Sequence, residues 1–307
     1  MQYRRLGRTD LQISAVGLGG WALGGGTDWG PADERAAQET VAAALDAGIT
    51  LIDTAPIYAR SEEFIGRALK GRRSQAVLAS KCGLVKNGSW TDHDLHPQTI
   101  IRQLEQSLTL LQTDYVDLYQ IHYPDPKIPL EAALETLARL QEQGKIRYIG
   151  LCNVTEAELR RACAVCAIAS VQNEFSLLHP QKGRAVLPPC RELGLGFIGY
   201  GTLCGGVLSG KYRQAPNLRR ADARNYFYKC YRGEAFLEAG QTAVRVKELA
   251  ARKQTSAAAL AGAWALGQAG VTSALMGART AQQVRQNARA AQAELNENEI
   301  HFLENTK

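Results

Sequence analysis

The chain has 307 residues, 45% hydrophobic and 21% charged, the balance of an ordinary globular protein long enough to bury a large core. Its formal charge of +6 comes from scattered arginines and lysines with only short, interrupted runs such as Lys70-Gly71-Arg72-Arg73, which excludes a nucleic-acid footprint and favours at most an anionic small ligand. Seven cysteines without framework spacing point to reduced thiols in a cytoplasmic protein, and neither a signal peptide nor a membrane-spanning apolar stretch is present, so no membrane partner is expected.

In chain order, Gln2–Leu6 and Leu11–Ser14 flank Gly7-Arg8-Thr9-Asp10 and read as a hairpin over the closed end of a barrel. Ala15–Gly20 reads as the first barrel strand, followed by a glycine-rich loop carrying Trp21 and Trp29. That loop lacks the spacing of a dinucleotide fingerprint and is read as pocket lining. A helix is predicted over Ala32–Ala47 and a strand over Thr50–Thr54. Ser61 then caps a helix ending at Gly71. The strand at Ala76–Ser80 leads into a long loop through Trp90 and His96, and Pro97–Leu111 forms a helix. Strands follow at Tyr115–Ile121, Ile146–Leu151, Ser170–Asn173 and Phe197–Tyr200, separated by helices at about Ile128–Gln143, Glu156–Ile168 and Ala185–Leu193. An irregular loop from Gly201 to about Ala239 precedes helices at Gln241–Arg252 and Ser256–Leu266, a strand at Thr272–Leu275 and a last helix over about Ala281–Ala291. Regular alternation without a linker predicts an α/β fold, a single (β/α)8 TIM barrel occupying residues 1–307 as one domain.

Four ionisable groups stand at or just past the ends of three strands: Asp53 and Tyr58, Lys81, and His122. In a parallel barrel those ends open on one face, where such folds place their chemistry. A tyrosine protonates a carbonyl oxygen best if a nearby ammonium lowers its pKa, and Lys81 would do this with Asp53 holding it charged. His122 would bind a substrate oxygen or relay a proton. Trp21, Trp29, Trp90 and Tyr123 are the candidate substrate-pocket residues.

These segments resemble a known family. Asp53-Thr54-Ala55-x-x-Tyr58, Ser80-Lys81 and Gln120-Ile121-His122 are similar to the catalytic tetrad segments of the aldo-keto reductases. The resemblance covers nearly the whole chain and implies reduction of aldehydes and ketones, 2-oxoaldehydes such as methylglyoxal among them, with NADPH, or NADH in its place. It implies that Cys152, Asn153 and Gln172 hold the nicotinamide carboxamide and that Tyr200 stacks on the ring. Gly201, Thr202, Leu203, Gly205, Ser209 and Lys211 belong to the loop that would strap the pyrophosphate. Gly277, Arg279, Gln283 and Asn287 would clamp the adenosine half, with Arg279 at a helix start suited to a 2′-phosphate. Three departures stand out: a short charged turn at Tyr58-Ala59-Arg60-Ser61-Glu62, Cys152 in place of serine, and Thr202 and Met276 where proline is usual.

Two other functions fit parts of the pattern. Lys81 at a strand end would also serve a Schiff-base lyase, which leaves the tyrosine and the adenosine clamp without a purpose. A cofactor-binding regulatory subunit on the same fold would keep every motif, although little chain precedes Gln2. Cys163-x-x-Cys166, placed mid-helix, reads as core packing, and His93 and His96 lack a third ligand nearby, so no metal is expected. The segment 213–232, rich in aromatics and charge, reads equally as a lid or as surface packing. A small-molecule carbonyl substrate and a monomer or small homo-oligomer complete the expectation.

Overall fold

A computed structural model describes residues 1–88 and 90–304. Strands β1 (Tyr3–Arg5) and β2 (Gln12–Ser14) pair antiparallel as the N-terminal hairpin. Barrel strands β3 (Val16–Gly19), β4 (Leu51–Asp53) and β5 (Val77–Cys82) follow, then an antiparallel ribbon of β6 (Leu84–Asn87) and β7 (Trp90–His93). The barrel resumes with β8 (Val116–Ile121), β9 (Ile146–Cys152), β10 (Ile168–Glu174), β11 (Gly196–Tyr200) and β12 (Val271–Gly277). Eight parallel strands close in the order β3-β4-β5-β8-β9-β10-β11-β12, with β12 pairing back on β3.

Side chains two apart on a strand share a face, and this rule builds the site. Leu51, Ala79, Leu118, Ile198 and Leu275 form one apolar cluster with Leu6, Leu11 and Ile13 of the hairpin region. The hairpin therefore plugs one end of the barrel. Two residues further along the same rows stand Asp53, Lys81, Gln120 and Tyr200. The inward face thus changes from apolar to polar within a single step, which puts the ionisable groups on top of a dry floor. On the other face Ile52, Leu78, Tyr119, Ile121, Val171 and Phe197 pack into the larger core shared with the helices. Each fully buried aliphatic side chain there contributes roughly 1.5–3 kcal/mol.

The helix at Glu34–Asp46 buries Val41, Ala44 and Leu45, the face its periodicity marks. Other boundaries differ from the sequence reading. Ser61 is the first residue of the helix Ser61–Ala68, not its cap. Its hydroxyl donates to Gly20 O at 2.9 Å and accepts from Thr54 Oγ1 at 2.9 Å, tying the loop after β3 to the end of β4. The helix Gly233–Arg252 begins eight residues before the expected Gln241. Phe236 and Ala239 extend its buried face, while Leu237, 67% exposed, obscures the period. The helix Glu156–Val165 stops short of the expected Ile168, which opens β10. Cys163 therefore sits in its last turn with Cys166 at the C-cap, both packed against the core. A helix at Glu297–Glu304 has no counterpart among the predicted elements. Among the described residues no helix is long and apolar enough to cross a membrane.

Candidate active site

Asp53 ends β4, Lys81 is the second-to-last residue of β5 and His122 directly follows β8. The Lys81 ammonium lies 2.6 Å from Asp53 Oδ1 and donates to Thr54 O at 2.9 Å. Asp53 Oδ2 accepts from the amides of Gln172 at 2.9 Å and Gln120 at 3.2 Å. The carboxylate is thus fully engaged in a buried site, as a charge withdrawn from water must be. Above it the Lys81 nitrogen is 4.9 Å from the centre of the Tyr58 ring. The Tyr58 hydroxyl is 3.3 Å from His122 Nε2. The four groups expected to converge do so.

Gly24 helps to place the tyrosine. A Cβ there would collide with the Tyr58 carbonyl oxygen, so only glycine lets the loop after β3 run against the Tyr58 backbone.

Burial first, and the Asp53 carboxylate second, push the Tyr58 phenol well above its ordinary value. The expected lowering by Lys81 is not found, because that ammonium is already matched by Asp53. Burial, then Lys81 and His93, push His122 well below the usual imidazole range. Both partners of the 3.3 Å contact are therefore uncharged near neutral pH.

The site opens into a cavity of about 610 Å³ that Asp53, Tyr58 and His122 line, with Lys81 buried behind them. Trp21, Trp29 and Tyr123 line its walls. Trp21 stacks on Tyr58 with ring centres 5.8 Å apart, and Tyr123 stacks on His122 at 5.5 Å. Trp90 does not belong to the pocket: it is 77% exposed. The loop expected there is the β6–β7 ribbon, whose register pairs Leu84 with His93 and Lys86 with Thr91. Those four residues face the cavity, and the pleat turns Trp90 the other way. Arg60 is also turned from the site, onto Glu63 at 2.8 Å and Glu34 at 3.3 Å.

The segment 213–232 is more ordered than its composition suggests, with a helical turn at Ala223–Tyr226 and a 3-10 turn at Lys229–Tyr231. Tyr228, Cys230 and Tyr231 are buried. Tyr226 donates to Asp28 Oδ1 at 2.8 Å, and Phe227 meets Trp21 edge-on at 5.0 Å. This segment roofs the cavity and reaches the loop after β3.

Asn153, Gln172 and Tyr200 line the cavity next to the tetrad. Tyr200 donates to Asn153 Oδ1 at 2.7 Å, and Asn153 Nδ2 donates to His122 O at 2.9 Å. Cys152 does not reach the cavity; its thiol lies 3.6 Å from Gln120 Oε1. Gly201, Thr202, Leu203, Gly205, Ser209 and Lys211 line one flank. Thr202 Oγ1 is buried without a hydrogen-bond partner, and no carboxylate lies within ion-pair distance of Lys211 among the described residues. Gly277, Arg279, Gln283 and Asn287 line the far end. The Arg279 guanidinium donates to Trp29 O at 3.1 Å and Pro31 O at 2.5 Å, so it bridges to the loop after β3 instead of standing free. An orphan hydroxyl and an unmatched ammonium along a glycine-rich strap fit an elongated, doubly anionic ligand such as a dinucleotide.

Gln120 is the functional residue to which sequence reasoning gave no role. It stands two before His122, so strand alternation alone places it on the site's face. His93 Nδ1 donates to Pro124 O at 2.9 Å, and among the described residues it forms no metal-ligand group with His96.

A closed parallel barrel with a buried lysine–carboxylate pair under a tyrosine and a histidine is the architecture of a nicotinamide-dependent carbonyl oxidoreductase. A model of the Aldo/keto reductase family matches residues 15–306, and the chain belongs to that family. It is 38% identical over 284 residues to the aldo-keto reductase YhdN of Bacillus subtilis (strain 168), covering 91% of this chain and 85% of that one. It is 34% identical over 311 residues to the NADH-specific methylglyoxal reductase of Escherichia coli (strain K12), covering 95% and 94%. Among solved structures, a glycerol dehydrogenase from Gluconobacter oxydans superposes with a TM-score of 0.88 at 32% identity, covering 98% of this chain and 93% of that one.

Proposed function

We propose that the chain reduces aldehydes and ketones to alcohols with NADPH, with Tyr58 as the proton donor and Asp53, Lys81 and His122 as its setting. The observation that carries this reading is the Tyr58 hydroxyl 3.3 Å from His122 Nε2 on the cavity wall, above the Lys81–Asp53 pair. When bound, the reduced nicotinamide supplies a hydride. As the substrate carbonyl oxygen gains negative charge, Tyr58 and His122 offer it hydrogen bonds from one place. An alkoxide is a stronger base than a phenolate, so a phenol held above its usual pKa still gives up its proton at that moment. The Lys81 ammonium then stabilises the phenolate left behind.

Asn153, Gln172 and Tyr200 are the residues proposed to hold the nicotinamide end. Gly201, Thr202, Leu203, Gly205, Ser209 and Lys211 would embrace the diphosphate, and Gly277, Arg279, Gln283 and Asn287 the adenosine. Cys152 acts only through Gln120. Arg279 favours a 2′-phosphate because its present partners, the carbonyls of Trp29 and Pro31, are neutral and leave its charge unmatched. The preference therefore differs from that of the NADH-specific relative. The aromatic walls Trp21, Trp29, Tyr123 and Phe227 suit small carbonyl compounds, 2-oxoaldehydes among them, in keeping with the methylglyoxal activity in that relative's name.

A Schiff-base role for Lys81 is disfavoured by its burial and by its two acceptors, Asp53 and Thr54 O. The test is a spectrophotometric screen of NADPH and NADH against aldehydes, ketones and 2-oxoaldehydes. Steady turnover with simple aldehydes supports the reading. Tight cofactor binding without turnover on any carbonyl would favour a regulatory subunit instead.

A further inference from the structure

Beside the cofactor strap, outside the tetrad, His179, Cys204 and Cys230 bring their ligand atoms within 4.8 Å of one another. The three residues come from separate segments. His179 lies in the loop after β10, Cys204 opens the 3-10 stretch Cys204–Ser209 after β11, and Cys230 sits in the turn Lys229–Tyr231. Both thiols are buried and neither is in a disulfide. Among the described residues this is the one group of three such side chains close enough to share an ion. We propose that His179, Cys204 and Cys230 form a binding site for a soft divalent cation, zinc above all, that fastens the cofactor strap to the roof of the cavity.

The donor set is one imidazole and two thiols, which suits zinc and disfavours magnesium or calcium. In a tetrahedral zinc site, bonds of about 2.0–2.3 Å place ligand atoms roughly 3.5–3.8 Å apart. From the present spacing of at most 4.8 Å, a contraction of no more than about 1.3 Å reaches that. A fourth, oxygen ligand is at hand: the Ser176 hydroxyl lies 3.1 Å from Cys204 Sγ. Cys204 also holds a left-handed backbone conformation, with φ 45°, that a non-glycine residue adopts at some strain.

The site's neighbours show what it would do. Tyr231, next to Cys230, donates to Gly205 O at 2.8 Å, next to Cys204. Gly205 belongs to the strap, and Phe227 and Tyr226 of the roof lie just before Cys230. An ion held by Cys204 and Cys230 would lock these two elements together without touching the reacting atoms. Positions 179, 204 and 230 are so far apart in sequence that no short ligand spacing announces them, which is why no metal was expected.

The full-length protein, kept reduced with a non-thiol reductant and freed of metal by a chelator, should be titrated with cobalt(II) and then with zinc. The proposal requires one equivalent of cobalt with thiolate-to-cobalt charge-transfer absorption, displaced by zinc, and a zinc-dependent rise in Tm. Cys230→Ser and His179→Ala should lose the absorption and the rise in Tm while circular dichroism shows them folded; Cys163→Ser should keep both. Wild-type protein that shows no charge-transfer absorption at stoichiometric cobalt would overturn the proposal. So would absorption that persists in both Cys204→Ser and Cys230→Ser.

Discussion

The Lys81 ammonium and the Asp53 carboxylate lie 2.6 Å apart, almost wholly sealed from solvent, beneath the ring of Tyr58. The pair holds a positive charge under the phenol and keeps that charge compensated. Breaking it should therefore affect both stability and rate.

Lys81→Met leaves Asp53 buried with only the amides of Gln120 and Gln172. Loss of one member of a buried pair destabilises by about 3–5 kcal/mol. The double variant Lys81→Met/Asp53→Leu removes both charges and should recover much of that loss, because the stranded carboxylate is gone. Chemical denaturation of the three proteins measures this directly. A single variant as stable as wild type would mean that the pair is not the buried interaction described here.

His122 gives a pH signature. Its folded pKa lies well below the ordinary value of about 6.5. Below that pH the unfolded chain takes up a proton that the folded chain refuses. The stability this residue supports is therefore whole above about pH 6.5 and declines as the solution becomes more acidic, by up to about 1.4 kcal/mol per pH unit. Unfolding free energies between about pH 5 and 7 should fall less steeply in His122→Asn than in wild type. Parallel curves would show that the imidazole is not held neutral.

Much of this site is legible in the chain because Asp53, Lys81 and His122 stand at or beside the ends of apolar strands, with Tyr58 in the loop after β4, and strand alternation carries Gln120 with them. The β6–β7 ribbon is not, since its residues are mostly exposed and no buried side imposes an alternating pattern; Trp90 was misplaced for that reason. The start of the helix Gly233–Arg252 was hidden by an exposed leucine, and the cluster of His179, Cys204 and Cys230 by sequence distance. The upward shift of Tyr58 follows from the balance between burial and an ammonium already paired, which depends on distances that a sequence does not contain.

Arg279 tests the cofactor. A charge-assisted contact to a 2′-phosphate is worth about 1.5–3 kcal/mol, which corresponds to about ten- to a hundredfold in affinity. Arg279→Ala should weaken NADPH by that factor and leave NADH unchanged, as read from dissociation constants of both cofactors. Equal losses would assign Arg279 to holding the backbone of Trp29 and Pro31 alone.

The most direct measurement is carbonyl reduction by Tyr58→Phe. The substitution keeps the ring that stacks on Trp21 and covers Lys81 and removes only the hydroxyl beside His122. With Tyr58 as the general acid, kcat for aldehyde reduction should fall by about 10²–10⁴ while the dissociation constant of NADPH barely changes. A Tyr58→Phe enzyme that reduces aldehydes at close to the wild-type rate would contradict the mechanism.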